Sequence, residues 1–120
     1  MKDFTGYVDE NFPLFPISQY AELKVKFEQP LLNKRKTKEG FSPTALRFAT
    51  VYGISPRMRF DLTINEFTKE FAIGSKLLVF GEQIWRPYLY KSDFSITILV
   101  VLEIPENKVA YNWFNTEGTS

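Results

Sequence analysis

The chain has no cysteine and no histidine. The first absence excludes disulfide frameworks, thiolate metal sites and cysteine nucleophiles. The second removes zinc sites of the common kinds, the serine-histidine triad and the usual general base near neutral pH. No apolar run approaches a membrane span, the longest being the five residues Ile98–Leu102. The N-terminal stretch carries Lys2, Asp3, Asp9 and Glu10 without an apolar core of signal-peptide length, so a cytoplasmic protein with no membrane attachment is expected. No glycine-rich phosphate loop of either familiar spacing is present, and no carboxylate cluster suggests oxygen-ligated magnesium. These gaps lead to the expectation of a non-enzymatic protein with no metal and no cofactor.

What remains is unevenly charged. The net charge is only +1, yet Lys24 to Arg59 holds nine cations against two anions, a local +7 that leaves −6 elsewhere. Segregation of that kind suggests an anionic partner, with a chance pattern of solvated side chains as the bland reading. At 120 residues the chain reads as a single domain, residues 1–120, able to bury a core without staples. Residues 1–18 form an aromatic, proline-interrupted extended arm, and residues 105–120 a C-terminal segment.

Alternation assigns the strands. Gln19 to Gln29 places Ala21, Leu23, Val25 and Phe27 on one face and Glu22, Lys24, Lys26 and Glu28 on the other. Thr44 to Tyr52 is a second strand, and Arg57 to Ile64 a third with Met58, Phe60, Leu62 and Ile64 inward. A capping box at Thr63–Glu66, with Asn65 competing as cap, begins a helix of about two turns that ends near Gly74. Lys76 to Ile84 is the fourth strand, and Phe94 to Ile104 the fifth, again by strict alternation.

Three strands, a helix and two strands is the order of the five-stranded Greek-key oligonucleotide-binding (OB-fold) barrel, an all-β fold that binds along strands 2 and 3 between the loops after strands 1 and 4. The first of those loops carries Lys34, Arg35, Lys36 and Lys38, suited to phosphates. The second carries Trp85, Arg86, Tyr88, Tyr90 and Lys91, suited to base stacking beside positive charge. Lys24, Lys26, Arg47, Arg57 and Arg59 then share the outer face between them. Each group has a plainer reading: Trp85 as a core residue, Tyr88 and Tyr90 packed on the arm, the basic run as a solubilising loop.

Gly74-Ser75, Val79-Phe80-Gly81, the loop with Trp85 and Tyr88, and the alternating segment from Phe94 resemble the corresponding region of the bacterial and phage single-stranded DNA-binding proteins, most of all the small phage-encoded members. The similarity runs over about residues 19–104. It implies a homo-oligomer, a dimer or tetramer, that coats single-stranded DNA during phage replication and recombination, alongside replication or recombination proteins. The family's bacterial members have a glycine-rich tail with an acidic tip, whereas this sequence stops at Glu117-Gly118-Thr119-Ser120. The alternative is a protein-interaction or structural barrel that uses the same aromatic loop.

Overall fold

A computed structural model describes residues 9–33, 40–81 and 86–117. Their elements, in chain order, are α1 (Gln19–Asn33), β1 (Ala45–Phe48), β2 (Thr50–Tyr52), α2 (Thr63–Ala72), β3 (Tyr88–Tyr90), α3 (Lys91–Glu103), α4 (Glu106–Val109) and β4 (Trp113–Thr116). The strands form two two-stranded sheets, β1 with β4 and β2 with β3, and the second pair is parallel. The expected all-β barrel is therefore corrected: among the described residues the architecture is mixed α/β and no closed barrel exists. Two compact units divide the chain, one drawn from Met1–Arg47 and Val101–Asn115, the other from Phe48–Val100 and Thr116–Ser120.

In the first unit the expected strand at Gln19–Gln29 is a helix. Ser18 caps it: its hydroxyl oxygen accepts the Ala21 amide at 3.2 Å and its carbonyl accepts the Glu22 amide at 2.9 Å. Glu22 in the first turn and its ion pair with Lys26 (3.8 Å) fit the helical i,i+4 spacing. The alternation that suggested a strand runs through Ala21, Leu23, Val25 and Phe27, and the serine cap and the Glu22–Lys26 pair outweigh it. Of the expected arm, residues 1–8 lie outside the described residues, and Asp9–Phe12 makes a turn closed by the Phe12 amide on the Asp9 carbonyl (3.2 Å).

Arg47 organises this unit. Its Nε and Nη2 donate to the two carboxylate oxygens of Glu28 at 3.0 and 2.5 Å, and its Nη1 donates to the Glu10 carbonyl at 3.2 Å. The Trp113 indole N–H donates to that same carbonyl at 2.8 Å, and the guanidinium lies 5.7 Å from the Trp113 ring centre. The C-terminal segment is structured here through α4 and β4. The Thr44 hydroxyl donates to the Val109 carbonyl at 2.9 Å, and the Ser42 hydroxyl donates to the Glu106 carboxylate. Tyr111 adopts a positive φ of 59° with its amide on the Pro43 carbonyl (2.6 Å).

The second unit is built on a β2–α2–β3 crossover. Thr50, Val51 and Tyr52 pair with Tyr88, Leu89 and Tyr90, and Leu89 is 2% exposed. A parallel pair needs a crossover connection, and here α2 supplies it. Its N-cap is Leu62 in an extended conformation without a side-chain bond, not Thr63 or Asn65. Asn65 is buried and used otherwise: its side-chain carbonyl accepts the Gly53 amide at 3.4 Å and its side-chain amide donates to the Arg59 carbonyl at 3.2 Å. At the other end Gly74 takes a φ of 70°, with its amide on the Phe71 carbonyl and the Ser75 amide on the Glu70 carbonyl, a Schellman closure.

The three remaining expected strands are also corrected. Arg57–Ile64 is turn and helix start, because Pro56 and the Asn65 bond to Arg59 close it locally. Lys76–Gly81 joins no strand, and residues 82–84 lie outside the described residues. Phe94–Ile104 falls largely in α3. Its alternation is not diagnostic because Ile98–Leu102 is apolar without a break, which suits a helix and a strand equally. The hydroxyls of Ser95 and Thr97 donate back to the Lys91 and Asp93 carbonyls at 3.2 and 2.7 Å, helical bonds that no strand offers.

Candidate active site

The residues expected to line one nucleic-acid groove are distributed over both units and mostly engaged. Lys34, Arg35, Lys36, Lys38 and Trp85 lie outside the described residues. In the first unit Arg47 is held by Glu28, whose hydrogen bond is the main cause of the guanidinium's raised pKa. Lys26 faces Glu22. In the second unit the Lys91 ammonium donates to the Ile54 carbonyl. Arg59 forks onto Asp61 at 2.7 and 2.5 Å, and that bond holds the Asp61 carboxyl down to about 2. Tyr88 and Tyr90 both pack on Tyr52, with ring centres 6.4 and 5.4 Å away. Among the described residues Lys24, Arg57 and Arg86 stand exposed without a side-chain hydrogen bond or ion pair, and Lys24 has a ring contact alone. The shared cationic face depended on strands at 19–29 and 57–64, and neither is a strand.

The helix makes a different pair. Tyr20 and Lys24 stand one turn apart on α1, and the Lys24 ammonium lies 5.4 Å from the centre of the Tyr20 ring. The phenol is 71% exposed, so it is reachable by a small molecule. The sequence signal was the Tyr-x-x-x-Lys spacing after a serine cap, and it is visible only once this stretch is treated as helical.

In the second unit the carboxyl ends of β2 and β3 bring Tyr52, Gly53, Tyr90 and Lys91 together. Open α/β sheets bind ligands at such ends. Gly53 has a φ of 130°, and a Cβ there would meet Tyr90 Cε2 at 2.9 Å and Lys91 Cγ at 3.1 Å.

A parallel strand pair joined by a crossover helix is the unit of the α/β nucleotide-binding folds. The family model described as NAD dependent epimerase/dehydratase matches residues 3–116. The chain belongs to that family. Membership overturns the resemblance to single-stranded DNA-binding proteins and what it implied: the OB-fold, the non-enzymatic coating of single strands, the phage replication and recombination role, and the partners and oligomer attached to it. It points instead to an enzyme and to a dinucleotide.

The described residues do not fit the pyrophosphate of that dinucleotide. A cradle requires glycines that let backbone amides approach the phosphates at a helix N-terminus directly after a strand. Among the described residues Gly53 is the glycine at the end of β2, and the space beside it is filled by Tyr90 and Lys91. Ten residues separate β2 from α2, and β3 runs into α3 with no intervening loop. Among the described residues no helix is long and apolar enough to cross a membrane, and no group of acidic side chains could hold a metal ion.

Proposed function

We propose that this chain is an enzyme of the epimerase/dehydratase class that acts at a hydroxyl-bearing carbon, with Tyr20 and Lys24 as its proton-transfer pair. Chemistry at such a carbon needs a group that takes and returns a proton. With no histidine or cysteine in the sequence, the task falls to tyrosine, lysine or a carboxylate. Tyr20 offers an accessible phenol on a capped helix inside the matched span, and this pairing is the observation that carries the proposal. Lys24 supplies a fixed positive charge one turn away, which offsets negative charge on the phenolic oxygen as the proton moves. Glu22 is the carboxylate nearest in sequence, but it is engaged by Lys26. The described residues build no phosphate cradle for a dinucleotide. The lack of cysteine supports a cytoplasmic setting.

The test is turnover of a panel of sugars and other polyols with NAD+ or NADP+ supplied in excess, followed by the appearance of epimerised or dehydrated product. Tyr20→Phe is expected to lower kcat about a hundredfold or more, the range of a lost acid-base group. Lys24→Met is expected to lower kcat with little change in KM. Undiminished turnover by Tyr20→Phe would remove the pair from the chemistry, and no turnover with any hydroxylated substrate would remove the enzymatic reading itself.

A further inference from the structure

Tyr20 and Lys24 sit at the least anchored end of their helix. Residues 13–20 are all exposed, and the inward stripe of α1, formed by Ala21, Val25, Glu28 and Leu32, is fully buried only at Leu32 in the last turn. Arg47 ties the helix down at Glu28, which also lies in its second half. Between that buried end and the first turn the ladder is interrupted, because Pro30 has no amide to give to the Lys26 carbonyl. Helix ends without such anchors fray at a free-energy cost near zero. Tyr20 is the second residue of the helix.

Ser18 is what holds this turn closed. Its hydroxyl oxygen accepts the Ala21 amide at 3.2 Å, and its carbonyl accepts the Glu22 amide at 2.9 Å. The two amides before them, of Gln19 and Tyr20, have no hydrogen-bond partner among the described residues. The Glu22–Lys26 pair at 3.8 Å is 51% and 74% exposed on its two sides, so it adds little. The Lys24 ammonium reaches the Tyr20 ring, 5.4 Å from its centre, only while this turn is wound. Residues four apart are neighbours at about 5–6 Å on a helix. In an extended chain the same residues are about 13 Å apart.

We propose that Ser18 is a positioning residue for the proton-transfer pair: by capping α1 it keeps the turn from Tyr20 to Lys24 wound, so that phenol and ammonium meet the substrate together. The inference rests on the proton-transfer role of Tyr20 and Lys24 and gives Ser18 no contact with the substrate. Loss of the cap then acts on the population of assembled pairs, not on substrate binding, so it lowers kcat and leaves KM in place.

The experiment compares Ser18→Ala, Ser18→Asn, Ser18→Thr, Glu28→Gln and Tyr20→Phe in the full chain, by amide hydrogen exchange and by turnover of the polyol that the wild type processes fastest with NAD+ supplied. In Ser18→Ala the Ala21 and Glu22 amides are expected to exchange about fivefold faster, the scale of a lost cap, and kcat to fall by about as much with KM unchanged. Asparagine caps a helix as well as serine does, so Ser18→Asn should restore both. Glu28→Gln loosens the tie to Arg47 and lowers global stability, yet exchange at Ala21 and kcat should stay at the wild-type values. If Tyr20→Phe is impaired but Ser18→Ala turns over at the wild-type rate, the positioning role fails and the pair's role stands. Rescue by Ser18→Thr but not by Ser18→Asn would also overturn it, because the reaction would then need the hydroxyl itself. Full turnover by Tyr20→Phe, or no turnover by the wild type, removes the pair and this inference with it, whatever the exchange rates.

Discussion

Replacing Arg47 by alanine is the sharpest probe of the first unit, because three of its nitrogens are committed at once. The guanidinium forks onto Glu28 at 3.0 and 2.5 Å and reaches the Glu10 carbonyl at 3.2 Å. The two charged side chains are 23% and 18% exposed, so the pair sits between the surface case and the buried one. An exposed ion pair contributes about 0.2–1 kcal/mol, whereas removing one partner of a buried pair costs about 3–5 kcal/mol. Arg47→Ala leaves Glu28 half-buried and unpaired, but Glu10 keeps its bond from the Trp113 indole. The expected loss is therefore about 2–3 kcal/mol, chiefly the cost of the stranded carboxylate.

Chemical denaturation of wild type, Arg47→Ala, Glu28→Gln and the double variant gives that loss and its coupling in one cycle. Coupling of about 1.5–2 kcal/mol is expected, since each single variant strands the other partner. Arg47→Lys should recover less than half of the loss, because an ammonium cannot reproduce the fork. Strict additivity of Arg47→Ala and Glu28→Gln, or a loss below about 0.5 kcal/mol for the first, would refute the assignment of Arg47 as the tie between β1 and α1.

Three further outcomes follow from the second unit. The Asp61 carboxyl is held down to about 2 from 3.8 by Arg59, so the stability it contributes is present above pH 3.8 and is lost as pH falls through about 2. The advantage of wild type over Asp61→Asn in an acid titration should shrink across that window, and a constant gap would mean the pair does not form. Gly53→Ala combines a φ of 130° with a contact of 2.9 Å to the Tyr90 ring, so chemical denaturation should show a loss of unfolding free energy of about 1–3 kcal/mol. Leu89→Ala, at a position 2% exposed between Tyr88 and Tyr90 on β3, should cost about 2–5 kcal/mol in the same assay.

The sequence was legible where a local stop or start signal agreed with periodicity. Helix α2 carries both Phe67 and Phe71 at helical spacing and the Gly74 closure, and the expected helix and the observed one differ mainly in the cap. It was illegible where two periods fit equally. Ile98–Leu102 is apolar at every position, so α3 had no polar face to reveal its period. Strand β3 is three residues long and lies inside what looked like an aromatic loop, too short for any alternation to show. Family membership showed in no short motif either, because the glycine fingerprint that marks dinucleotide-binding proteins is missing from the sequence; it lies in the match spread over residues 3–116. The reading as a DNA-binding protein rested on the strand order, on the basic run at 34–38 and the aromatic loop at 85–91, and in part on the resemblance around Gly74 and Gly81. In the structure those residues end a helix and bracket an unpaired segment.

The cationic surface and the Tyr20–Lys24 pair are two outcomes of one choice of period. In a strand the same-face neighbours of Lys24 are the residues two away, so Lys24 and Lys26 point together and appear to build a phosphate-binding face. In a helix two residues turn about 200°, and the neighbours of each lysine become the residues four back, Tyr20 and Glu22. One lysine then meets a phenol and the other a carboxylate. The same reassignment frees Glu28 to meet Arg47, which removes a third cation from the imagined face. A segmental charge count gives every cation equal weight, whereas partners are set by the period of the element that carries them. Of the nine cations behind the local +7 between Lys24 and Arg59, Lys26, Arg47 and Arg59 already face carboxylates, while Lys34, Arg35, Lys36 and Lys38 lie outside the described residues.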